Sequence, residues 1–115
     1  MKTLEDVREA LRLFVAERDW DQFHNPKNLV MALVAEAGEL VEHFQWLAPE
    51  QAECPAPEVL QEVELEVADV LLLLLRLCDR LGIDPIDAAR KKLEINRVKY
   101  PIEKARGKST KYDKL

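Results

Sequence analysis

At 115 residues the chain is long enough for one compact core and too short for two, and 48% apolar with 34% charged residues excludes a disordered segment. No apolar run approaches the ~18 residues that span a bilayer, and the opening Met1-Lys2-Thr3-Leu4-Glu5-Asp6 lacks the apolar stretch of a signal peptide, so a single cytoplasmic domain over residues 1–115 is expected. The net charge of −5 hides an asymmetry: residues 90–115 hold ten Lys/Arg against three Asp/Glu, leaving seven against nineteen for residues 1–89. An acidic body repels phosphate unless cations intervene, which argues against a nucleic-acid polymer as partner and for bound metal.

The first helix opens at Thr3, whose hydroxyl can cap the amide three residues on while Asp6 reaches back, and its apolar stripe Leu4, Val7, Leu11 and Phe14 runs toward Asp19. A second helix starts with Asn25 as cap and Pro26 at its first position, with Leu29, Leu33, Ala37, Leu40, Phe44 and Leu47 on the core face. Pro49, Pro55 and Pro57 break the pattern, so a loop is expected from Ala48 to about Pro57. A third helix follows to Leu81, where Gly82 stops it. Between Val67 and Cys78 it carries only Asp69 and Arg76 as charges, more apolar surface than one small bundle needs. That surplus predicts an obligate homo-oligomer, a dimer or a dimer of dimers. Asp84-Pro85 begins a fourth helix with Ile86, Ala89, Leu93 and Tyr100 on its stripe, ending at Pro101 before a basic tail over 101–115. The expected fold is an all-α four-helix bundle.

Two acidic pairs carry the chemistry. Glu36 and Glu39 on the second helix, and Glu66 and Asp69 on the third, are each three residues apart and so share a helix face. Asp69 interrupts an apolar run, where a carboxylate without a partner is strongly penalised; a divalent cation shared with the other three removes that penalty. Four oxygen ligands suit Mg2+, or Mn2+, over zinc. Glu62, one turn before Glu66, is a candidate to hold a second ion or to activate water, and Glu36 and Glu39 are also candidates to activate water. The competing expectation is that these are solvated charges and that Asp69 pairs with Arg76.

A metal platform of this kind orients polyphosphate and generates a hydrolytic nucleophile near neutral pH. Lys92, Asn96 and Lys99 recur on one face of the fourth helix as candidates for the departing phosphates. Gly107-Lys108-Ser109-Thr110 looks like the end of a P-loop, but Ile102 stands where its first glycine belongs and no strand precedes it. Cys54 and Cys78 have no zinc-binding spacing and are read as unpaired thiols. Two rivals fit parts of the pattern: a non-enzymatic helical interaction module with a basic tail, indifferent to loss of Asp69, and a di-iron bundle, disfavoured because His43 completes no ExxH with Glu36 or Glu39.

With ExxE on one helix and ExxD on the next, the chain resembles the MazG-like all-α nucleoside triphosphate pyrophosphohydrolases. It is most similar to their dCTP pyrophosphatase branch through Glu17-Arg18-Asp19-Trp20-Asp21-Gln22-Phe23-His24, Phe44-Gln45-Trp46, and Asn96-Arg97 followed by Lys99-Tyr100-Pro101. The resemblance implies that Glu36, Glu39, Glu66 and Asp69 bind magnesium. It further implies that Trp20, Asp21, Gln22, Phe23, His24 and Trp46 form the nucleoside pocket, and that Lys92, Asn96, Lys99 and Tyr100 face the phosphates. Trp20 and Trp46 are able to stack on a base and His24 offers a hydrogen bond. The implied reaction is water attack on the α-phosphorus, giving nucleoside monophosphate and pyrophosphate, as house-cleaning of the nucleotide pool. In the resembling enzymes a His stands at the position of Leu11 and a Tyr at that of Leu73; both are apolar here, which leaves the preferred base open.

Overall fold

The computed structural model describes all 115 residues and contains helices and turns without a strand. Its α-helices are α1 (Leu4–Glu17), α2 (Pro26–Glu42), α3 (Pro49–Glu53), α4 (Pro57–Leu81), α5 (Pro85–Lys99) and α6 (Ile102–Ala105), with single 3-10 turns at Asp21–Phe23 and Tyr112–Lys114. The chain divides into two compact units, Met1–Gly82 and Ile83–Leu115, so the basic tail expected from residue 101 lies within the second.

The helix starts follow the capping residues. Thr3 Oγ1 accepts from the Asp6 amide at 3.1 Å while the Asp6 carboxylate accepts from the Thr3 amide at 3.2 Å, closing a capping box. Asn25 Oδ1 accepts from the Asn28 amide at 2.9 Å, and Asp84 Oδ1 from the amides of Ile86 and Asp87. Gly82, at φ 67°, closes α4 in the left-handed conformation that a Cβ disfavours.

Two expectations need correction. The stretch from Ala48 to Pro57 is not all loop, because Pro49 opens α3 and Gln51 Oε1 accepts from the Ala48 amide at 2.9 Å; a proline at the first helical position starts a helix as readily as it breaks one. The second helix ends at Glu42, so Phe44 and Leu47 sit in turns beyond it.

In the first unit α2 packs along α4, and α1 crosses α4 more lightly. The helices α2 and α4 run antiparallel: His43, just past the end of α2, meets Glu62 and Glu66 near the start of α4, whereas Asp21 and His24, ahead of α2, meet Arg76 and Arg80 near its end. The core is small. Val15, Leu29, Leu75 and Cys78 are its buried apolar residues, while Met31, Val34, Leu65 and Val67 are each at least half exposed. Cys54 is exposed, and neither cysteine is in a disulfide. No helix is long and apolar enough to cross a membrane. In the second unit Gly107-Lys108-Ser109-Thr110 follows the helix α6, so the strand that a P-loop requires is absent there.

Candidate active site

A cleft of about 210 Å³ opens in the first unit between α1, the following turn, α2 and α4. Leu11, Phe14 and Val15 supply one wall, Leu72, Leu73 and Arg76 another, with Trp20 and His24 at one end and Glu36 and Asp69 on the lining.

Trp20 is placed by the way α1 stops. The Asp19 amide donates to the Ala16 carbonyl and the Trp20 amide to the Val15 carbonyl, both at 3.1 Å, a Schellman closure with Asp19 at φ 53° where glycine is usual. Aspartate is among the few residues that tolerate this conformation. The reversal sets the Trp20 ring edge-on to Phe14, with centroids 5.7 Å apart, and 6.4 Å from the imidazole of His24.

Near that end Asp21 and Asp79 have arginine partners. Arg76, buried on α4, donates from Nη2 to Asp21 Oδ1 at 2.7 Å and from Nε to His24 Nδ1 at 3.2 Å. Arg80 adds 3.1 Å to Asp21 Oδ2. Asp79 accepts from Arg12 and Arg8 of α1, with closest approaches of 2.7 and 2.6 Å, and the Arg12 bonds together with those from Arg8 pull its carboxyl down to about 2. The His24 imidazole is pushed below its ordinary value, by burial first and by the Arg76 charge second.

The other end gathers acids without cations. Arg76 pairs with Asp21 and Asp79 and leaves Asp69 alone, which removes the expected Asp69–Arg76 pair. Asp69 is also exposed and not buried in an apolar run as its neighbours in sequence suggested, because it faces the cleft. Glu36 and Glu66 are half-buried, Glu39 exposed. The Glu36 carboxyl is held above the usual carboxylate range, first by a hydrogen bond shared with Glu39, then by partial desolvation and by the charges of Glu39, Asp69 and Glu66. Glu36 therefore feels the other three acids of the two motifs. Glu36 Oε2 and Glu66 Oε2 are buried with no hydrogen-bond partner, a costly arrangement for a carboxylate.

As the side chains stand, no three acidic, imidazole or thiol groups surround one point closely enough to hold an ion. The donor set nonetheless fits one: four carboxylates, two with orphaned oxygens, are oxygen ligands of the kind hard divalent cations take.

The remaining candidates divide between the units. Asp21 bonds to Arg76 and Arg80, and Gln22 Nε2 donates to Asp19. Phe23 is exposed, and Trp46, 87% exposed, is not part of the cleft. Glu62 is largely exposed, 3.6 Å from His43 Nδ1. Lys92, Asn96, Lys99 and Tyr100 belong to the second unit. There the Lys99 ammonium sits 4.6 Å from the Tyr112 ring centre and Tyr100 packs edge-on to the same ring.

Two contributors escape a reading by sequence motif. His43 Nε2 lies 2.8 Å from Glu66 Oε2, although the approach lacks the alignment of a hydrogen bond. Its place one turn beyond Glu39, at the C-terminal cap of α2, was the available signal. Arg76 lies two turns beyond Asp69, and only its isolation among leucines marked it.

Comparison with known proteins identifies the family. Residues 31–115 match the model of the MazG-like family. The chain is 45% identical over 121 residues to dCTP pyrophosphatase 1 of Homo sapiens and 43% identical over 118 residues to that of Rattus norvegicus, in each case across 98% of this chain and 68% of the relative. A crystal structure of a pyrophosphatase from Archaeoglobus fulgidus superposes with a TM-score of 0.76 at 44% identity, covering 85% of this chain and 92% of that one. The chain belongs to the MazG-like family.

Proposed function

We propose that the cleft receives the nucleoside of a dCTP-like triphosphate and that the acidic end serves its phosphates. The chain is a nucleoside triphosphate pyrophosphohydrolase: water adds its oxygen to the α-phosphorus, the bond from that phosphorus to the bridging oxygen breaks, and pyrophosphate leaves with the bond's electron pair. The observation that carries the site assignment is the contrast inside one cleft, an aromatic and apolar wall at Trp20 beside Glu36 and Asp69, two of a group of four carboxylates that no Lys or Arg neutralises.

Glu36, Glu39, Glu66 and Asp69 would hold Mg2+, with Mn2+ as an alternative. When bound, the ion supplies charge neutralisation for the polyphosphate and lowers the pKa of a coordinated water. The protein's own contribution lies in placement. Trp20 offers a face for the base, His24 a hydrogen bond, and Glu36, Glu39 or Glu62 orients the attacking water and takes its proton. Lys92, Asn96, Lys99 and Tyr100 are the proposed phosphate contacts. Leu11 and Leu73, the two departures from the resembling enzymes, both line the cleft, which supports an altered preference among bases.

The exposed Met31, Val34, Leu65 and Val67 support a homodimer or dimer of dimers that covers these faces. The family match spans both units, so we read residues 1–115 as one functional domain, and the free thiols suit the cytoplasm.

The test is an assay of purified protein against canonical and modified (d)NTPs, with Mg2+ and with EDTA, identifying the products. Monophosphate plus pyrophosphate, formed only with the metal, is expected. Orthophosphate as first product, or equal turnover in EDTA, would refute the assignment.

A further inference from the structure

We infer that Arg76 is a positioning residue for substrate recognition: it locks the neutral imidazole of His24 in the tautomer that carries its proton on Nε2, making that edge a permanent donor toward an acceptor atom of the substrate base. This rests on the reading of the cleft as a base site. The argument starts from what a guanidinium is able to do. It has five N–H donors, no acceptor, and does not lose its proton in a protein. Arg76 Nε faces His24 Nδ1 at 3.2 Å, so Nδ1 offers its lone pair, and a neutral imidazole with a bare Nδ1 must be protonated at Nε2.

The guanidinium is held in turn. Its Nη2 is bound to Asp21 at 2.7 Å, its Nη1 lies 3.7 Å from Asp79, and the residue is only 5% exposed. The charged groups facing His24 are Arg76 and Arg80 from α4 and Asp21 from the preceding turn; Glu36 of α2 and Asp69 of α4 lie further along the cleft lining, and α1 contributes only Leu11, Phe14 and Val15 there. Burial first, and then two arginines against one neighbouring aspartate, disfavour the imidazolium.

His24 and Trp20 share the same end of the cleft, so a base lying on the indole would meet a donor of fixed sense. A ring carbonyl or unprotonated ring nitrogen is accepted at that edge, and an amino group is rejected.

The experiment reads the tautomer first, by long-range 15N–1H correlation of the imidazoles in the full chain without nucleotide. The chain has two histidines, and the His24→Gln spectrum identifies His24 by its loss. From pH 6 to 8 the wild type is expected to show a bare Nδ1 and a protonated Nε2, and Arg76→Met a mixture of tautomers with an ordinary titration. Arg80→Met, which also takes a cation from Asp21 but does not touch His24, should leave the tautomer as it was.

Kinetics then ask whether the substrate feels the lock. The KM ratio of Arg76→Met over wild type should climb from about twofold at pH 6, where an imidazolium still donates from Nε2, to about tenfold at pH 8, with kcat nearly constant. A merely structural loss would give a ratio that does not depend on pH. If Arg76→Met does not fold, His24→Gln and His24→Asn decide, since the Gln amide reaches the Nε2 position and the Asn amide does not. KM should be about fivefold higher for Asn.

A protonated Nδ1 in the wild type overturns the lock. A pH-independent KM ratio, or equal KM for Gln and Asn, overturns its role in recognition. A wild type that hydrolyses no nucleotide sinks the base-site reading and the donor's role with it, while the tautomer would still be read.

Discussion

The seam between α2 and α4 gathers acids at both ends and treats them in opposite ways. Asp21 sits against two arginines and Asp79 against three at one end, while at the other Glu36, Glu39 and Asp69 have no cation within salt-bridge reach and Glu66 has only His43. The ionisations follow: Asp79 is pulled down to about 2 and Glu36 is pushed up. Acids meant only to fasten helices come with partners in the same chain. Acids left to repel one another beside a cleft describe a place where a cation from outside is expected.

The comparison breaks most sharply if the unpaired end can be neutralised without consequence. Asp69→Asn and Glu36→Gln keep size and hydrogen bonding but remove the charge. Altering residues that merely orient metal ligands typically costs ~10–100-fold, so loss of a ligand should cost more than about 100-fold in kcat/KM. Steady-state rates with Mg2+ and the preferred triphosphate measure this. Retention of a tenth or more of wild-type activity in either variant would place the reaction elsewhere.

The paired end should respond in stability instead. The Asp79 side chain is 9% exposed and joins α1 to α4 through Arg8 and Arg12. Its lowered carboxyl corresponds to roughly 2 kcal/mol of folding free energy at neutral pH, and Asp79→Asn should lose about that much. A depressed carboxylate stabilises the fold fully above its unfolded value near 4 and progressively less as pH falls toward 2. Denaturant melts should therefore show wild type and variant well separated at pH 7 and converging below pH 3. An unchanged gap at both pH values would mean that shape, and not charge, makes the difference.

The same contrast separates what the sequence discloses from what it does not. Caps and stops are local, so Thr3, Asn25, Asp84 and Gly82 mark the helix ends within a residue or two. The ExxE and ExxD spacing likewise puts the acids on helix faces before any packing is known. Pro49 shows the limit of local signals, since the same residue opens α3 that was read as a break. Arg76 shows a deeper limit: its obvious partner was Asp69 on its own helix, yet it bonds to Asp21 and His24, 55 and 52 residues away. Nothing in helical periodicity selects between those choices; the antiparallel packing of α2 on α4 does.

The smallest expected effect sharpens the comparison most, because its sign opposes the usual cost of mutating a half-buried residue. The Glu36 carboxyl sits above its ordinary range because Glu39, Asp69 and Glu66 disfavour its ionisation. A group of this kind weakens the folded state as pH rises through its raised value, and the weakening stays while no cation binds. In EDTA at pH 7.5, Glu36→Gln should melt slightly higher than wild type, and the gap should close as the buffer is taken to pH 4. Adding Mg2+ should reverse the order, since stabilisation by a ligand requires the site that the variant has lost. Thermal unfolding of both proteins in the two buffers is sufficient. A lower melting point for Glu36→Gln in EDTA would show that the carboxylates are compensated within the chain, and the proposed site would lose its physical reason for binding metal.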